Sequence, residues 1–217
     1  MALGLPEVWV SHGIRAQASP STYVLQALAD LPLLPDVALN GGFEWLPDPG
    51  RRLEWAIGAS GPKGPFDVGA IPALADEAAR SGVAIPVSLD TFLRSERRDW
   101  IRSVTGCWLD LPERIVNVPG SDSRVIRFLN DQQGVQFWYA AVGPEGEEAV
   151  LVSNDLFDAP EPWLDPTEVA ETYVCAPSVE AFLLRIWIES EIWFRSKEGT
   201  SLTDMQQRYL DRLIGKD

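Results

Sequence analysis

Residues 124–153 hold three strand-like runs, "RVIRFL", "VQFWYAAV" and "EAVLVS", joined by the short polar stretches "NDQQG" and "GPEGE". A crossover between parallel strands needs a dozen or more residues, so connections this short force an antiparallel meander. In the middle run, Val135, Phe137, Tyr139 and Ala141 share one face, and Gln136, Trp138 and Ala140 share the other. Large aromatics on both faces predict a central strand covered at least partly on both sides.

The meander leaves the rest of the chain to supply the cover. "AIPALADEAARSG", residues 70–82, reads as a helix with Leu74 and Ala78 on one side and Gly82 as its stop. Residues 85–104 read as one or two helical pieces, with Ser88 as the N-cap and Leu89, Phe92 and Leu93 as an apolar stripe. Residues 178–198 form the strongest helix: Ser178 caps it, Glu180 sits in the first turn, Arg195 and Lys197 sit in the last, and Gly199 ends it. A more polar helix follows over residues 202–214. Before the meander, residues 19–30 have Tyr23, Val24, Ala27 and Leu28 at helical spacing, with Ser19 or Ser21 as cap and Pro20 at an early position. Residues 36–66 read as a hairpin, "GGFEWL" against "RRLEWAI", around a Pro-Gly turn. "CWLDLPERIVNVP" reads as extended, and "ETYVCA" as a short edge strand after an acidic, proline-broken loop. Helices, then strands in a row, then helices predict an α+β fold with an antiparallel β-meander sheet packed by helices.

Composition narrows the partners. Of 217 residues, 46% are apolar, including nine Trp and eight Phe, which is ample for a core. No apolar run reaches the ~20 residues that span a bilayer, and the N-terminus does not read as a signal peptide. Cys107 and Cys175 have no metal-type spacing and read as buried thiols in a reducing cytoplasm. The formal charge is −14, and from Phe128 to Leu184 there are eleven acids and no Lys or Arg. Nucleic acid and anionic membranes are repelled by such a chain. The acid run is either a solvated face or a surface that steers a basic protein partner.

Motifs for chemistry are weak. Asn130-Asp131-Gln132-Gln133-Gly134 ends in Gly and reads as a hairpin turn, since a lone Asp has no mechanism without a second acid, a His or a metal cluster. His12 is the only histidine, and no GxSxG elbow accompanies it. In "GASGPKG", Lys63 is followed by Gly64-Pro65, and proline lacks the N–H that would cradle phosphate. No EF-hand loop occurs. Paired carboxylates for hydrolysis are possible in so acidic a chain but are not specified by it. No cofactor or metal is expected.

Three features over residues 85–195 occur in one order. Ile85-Pro86 leads into a helix with Phe92-Leu93, a strand–turn–strand carries Asp131, Gln132, Gln133, Trp138 and Tyr139, and a Ser178-capped helix holds Phe182-Leu183. In this the chain resembles the SMI1/KNR4, or SUKH, superfamily. It departs from that family in lacking an Asn-Gly pair after the first of these helices, where "RSERRDWIRSVTG" stands. The resemblance implies a fold without enzymatic activity. It also implies a role found in many bacterial members, immunity proteins that bind and neutralise a toxin, often a nuclease; other members are regulatory or scaffold proteins. Residues 1–80 have no assignable counterpart and are expected to form an N-terminal extension or subdomain beside a domain over 81–217. The expected contact rim for a basic partner comprises Asp131, Gln132, Asp155, Asp158, Glu161, Trp163, Asp165 and Glu168. Trp163 is either an exposed anchor or a loop residue pinned on the core. An undetected hydrolase with paired carboxylates is the third alternative.

Overall fold

A computed structural model of the chain describes residues 4–11, 23–59, 61–62, 64–161 and 171–215. The meander forms as expected. Strands β5 (Arg124–Asn130), β6 (Phe137–Val142) and β7 (Glu148–Ser153) pair antiparallel, and β8 (Thr172–Ala176) joins β7 at the edge. On the other side, β5 pairs with two short strands from the extended segment, β3 (Trp108–Leu109) and β4 (Val116–Asn117), one near each of its ends. β6 is central, as the aromatics on both its faces require. Trp138 and Ala140 enter the main core, while Phe137, Tyr139 and Ala141 join Val125 and Leu151 in a second cluster on the opposite face.

Helices cover the main-core face. They are α1 (Ala70–Arg80), α2 (Val87–Arg94), α3 (Val179–Glu198) and α4 (Asp204–Leu213). The Ser178 side chain accepts from Ala181 N at the start of α3, and Gly199 ends it with φ of 68°. That left-handed conformation costs a glycine nothing and any other residue about 1 kcal/mol. From Val179 to Ser190 every residue of α3 is buried. Phe182 lies at the centre, with Trp9, Phe128 and Trp138 packed around its ring at 5.6–6.3 Å between centroids. Two buried polar side chains of this helix fasten other segments to it. Glu189 accepts from Trp9 Nε1 and from Tyr209 of α4, and Arg185 donates to that tyrosine hydroxyl and to Pro32 O.

Four expectations are corrected. Residues 24–27 are a strand, not a helix: β2 (Val24–Ala27) pairs antiparallel with β1 (Val8–Ser11). The partner run "VWVS" decides the conformation there, and local spacing does not; Pro20 and the candidate caps Ser19 and Ser21 lie outside the described residues. Residues 36–66 contain a turn at Pro49-Gly50, where Asp48 accepts from Gly50 N, but no hairpin. Phe43, Leu46, Leu53 and Ile57 are all inserted into the interior, and the second run instead bonds with the 101–103 segment through Ile57 N to Ile101 O and Ser103 N to Trp55 O. Pro86, not Ser88, occupies the cap position of α2, and Ser88 lies inside its first turn. Finally, the expected division near residue 80 does not divide the core, because Trp9, Phe43, Ile57 and Leu74 share one cluster with Phe92, Trp138 and Phe182. No helix among the described residues is long and apolar enough to cross a membrane.

Candidate functional site

The polar knot between β5 and β6 is a turn built on Asp131. Its carboxylate accepts from Val135 N at 2.7 Å and Gln136 N at 3.1 Å, and Gly134 has φ of 69°. Asp131 is 1% exposed, so it cannot reach a partner and leaves the expected rim. Its charge is felt inward. Burial pushes the Cys107 thiol up to about 12, with Asp131 adding to the shift, and raises Tyr23 in the same way. Gln132 is exposed and lies over Gly106, where any Cβ would come within 2.8 Å of its amide oxygen.

The acidic loop after β7 is fastened to the second face of the sheet. Tyr139 donates to Asp155 O and accepts from Phe157 N, and the Tyr139 and Phe157 rings stack at 4.8 Å. Asp158 is not a rim residue either. Arg127, from the same sheet face, grips it with Nε and Nη2 at 2.9 Å each, and bonds Asp110 and Asn130 through Nη1. Burial alone would lower the Arg127 pKa, but the two carboxylates more than reverse this and raise it. An Arg set between Ile126 and Phe128 inside the strand run "RVIRFL" was the sequence signal for this buried pair. Asp155 is half-buried, and desolvation raises its carboxyl above the ordinary range. Glu161 is exposed. Trp163, Asp165 and Glu168 lie outside the described residues, as do His12 and Lys63. Of the expected rim, then, Gln132, Asp155 and Glu161 retain described surface.

Sequence reasoning passed over a second acidic place. At the β6–β7 end of the sheet a cleft of about 460 Å³ opens between the 39–41 loop, the lead-in to α2 and the start of α3. Glu148, the first residue of β7, reaches across to both helices: its Oε1 accepts from Val179 N at 2.6 Å and from Ser88 Oγ at 3.2 Å. Glu180 is 2% exposed, and its carboxylate accepts from Gly41 N, Phe43 N and Trp45 Nε1 at 2.6–3.1 Å. Each therefore holds the backbone of neighbouring segments in place by neutral donors. The signal for them was present but mute: both were members of the acid run, and nothing in their spacing announced that two distant positions would line one space.

Two further hollows, of about 360 and 380 Å³, share Asp48, Arg51 and Trp100. They mix charges of both signs. In the first, Arg102 bonds Glu191 and Glu198 and stacks over Phe194, at 3.9 Å from the ring centroid. Among the described residues, no group of three or more His, Cys, Asp and Glu side chains is placed to hold a metal ion. Comparison with known proteins returns no matching family model, no matching curated protein and no matching solved structure.

Proposed function

We propose that the chain is a non-enzymatic protein-binding module of the immunity type, related to the SUKH proteins, which acts in the cytoplasm by binding and neutralising a basic toxin, a nuclease being the expected class. One observation carries this reading, the segregation of charge. Up to residue 127 fifteen acids stand against twelve bases, and after it seventeen stand against six. Arg127 neutralises Asp158, but Glu145, Glu161 and Glu171 are exposed in the stretch that has no base of its own. A surface of one sign speeds encounter with a partner of the other and suppresses wrong partners. The same field disfavours nucleic acid and anionic membrane as partners.

Co-expression tests the reading. The protein encoded beside this gene is produced with and without the chain, and growth is followed. The expected result is that the chain restores growth, and that the purified pair binds more weakly as salt rises from 50 to 500 mM. Unrelieved toxicity, or an affinity indifferent to salt, counts against it. A gene with no toxin beside it favours a housekeeping scaffold or regulatory role.

A further inference from the structure

The cleft at the starts of α2 and α3 combines three features found together nowhere else among the clefts described above. Its walls are largely apolar, from Leu39, Ile85, Pro86, Val87 and Val142. Two of these stand out to solvent, Val87 at 74% exposure and Leu39 at 43%. Val87 does nothing for the packing of α2, which rests on Leu89, Phe92 and Leu93. The interior carries the carboxylates of Glu148 and Glu180, and no Lys or Arg lines it.

No basic side chain lines the cleft. Elsewhere Asp110 and Asp158 meet Arg127, and Glu191 meets Arg102, while the buried Asp131 and Glu189 accept from N–H and O–H donors. Glu148 and Glu180 also meet N–H groups and a hydroxyl, but these two line one cleft together. The N-terminus of α3 offsets part of their charge, since a helix start carries about half a unit of positive charge. Two full negative charges still exceed it. Arg124 stands beyond Val142 in the ladder, with Glu148 on the far side, and no ion pair joins the two side chains. The hollow is therefore negative at its floor, apolar along its walls and open at its mouth, and Glu145 on the adjoining turn is exposed.

We propose that this cleft receives a basic side chain, lysine or arginine, of the protein partner, with its alkyl stem along Ile85, Pro86 and Val87 and its charged head on the free Glu148 oxygen. Long basic side chains bury their stems on apolar surface while the head seeks a carboxylate. The volume falls within the range of sites that enclose a ligand group. The proposal rests on the reading of the chain as a binder of basic protein and names the place where it binds.

The test is an NMR titration of the full chain with acetyl-Gly-Arg-Gly-amide, the lysine peptide and the citrulline peptide, an uncharged isostere of the first. Saturable shifts at the amides of Val87, Ser88, Glu148 and Val179 are expected with the two basic peptides and not with citrulline. Glu148→Gln, which keeps an acceptor for Val179 N, should weaken binding about tenfold, the effect of one charge-assisted hydrogen bond. Val87→Ser, at a position too exposed to affect folding, should weaken it about threefold. Absence of saturable shifts, equal binding of citrulline, or indifference to Glu148→Gln overturns the proposal. The two readings fail separately. A cognate toxin that binds the Glu148→Gln chain with full affinity removes the cleft and leaves the immunity role. Peptide binding in the cleft without any rescue of growth removes the role and leaves the cleft.

Discussion

Single residues here act mostly inward. Cys107 is fully buried beside Thr105 and Ser103, and its thiol is pushed from an ordinary 9.0 up to about 12, chiefly by loss of water. Burial raises Cys175 as well. An acid whose folded pKa lies above its unfolded one keeps its proton longer when folded, so its contribution is intact below pH 9 and is lost as pH climbs towards 12. Stability should therefore fall between pH 9 and 11, and Cys107→Ala should flatten that fall by up to about 1.4 kcal/mol per pH unit, the linkage limit for one proton. Urea unfolding at a series of pH values measures it; an unchanged slope in the variant contradicts the assignment. The residue scale is also where sequence reading went furthest astray. Asp131 was correctly placed in a turn, yet was also given to a partner, because type and neighbours reveal a turn while only the packed fold reveals burial. Asp158 and Glu148 belonged to one acid run and have opposite fates, since what separates them is an arginine brought from another strand.

Elements were legible where the signal is local. Alternation set the meander, and the Ser178 cap and Gly199 stop set α3, because each acts within a few residues of chain. β2 was not legible, because its conformation depends on β1, with Val24 opposite Ser11 and Ala27 opposite Val8. The 36–66 segment failed for a related reason: its bonds run to the 101–103 stretch, far along the chain. The caps yield a direct prediction. Gly199→Ala forces a Cβ into the left-handed region and should cost about 1 kcal/mol. Ser178→Ala removes the acceptor for Ala181 N and should cost a similar amount. Thermal melts of the two variants should both shift downward, and the double variant should approach the sum, as the sites lie at opposite ends of a 20-residue helix. A neutral Gly199→Ala variant would mean that the last turn frays without consequence.

For the whole molecule, one core serves both the segment before residue 80 and the segment after it. Trp9 bonds Glu189 across 180 positions, and Phe43 packs on Phe92 at 5.3 Å. A fragment over 81–217 should therefore fail to unfold cooperatively, because removing the first 80 residues uncovers α3, strips Glu180 of its donors and takes the Trp9 donor from Glu189. Circular dichroism and urea titration of that fragment measure this; a sharp transition near that of the full chain would restore a separate domain. The first dozen residues of α3, enclosed on all sides, have a further consequence. A rod sheathed by sheet, helices and loops shows almost none of that stretch to water, so substitutions there act on stability first. The outward surface is left to the segments wrapped around it, where exposed positions tolerate exchange while the buried scaffold stays as it is.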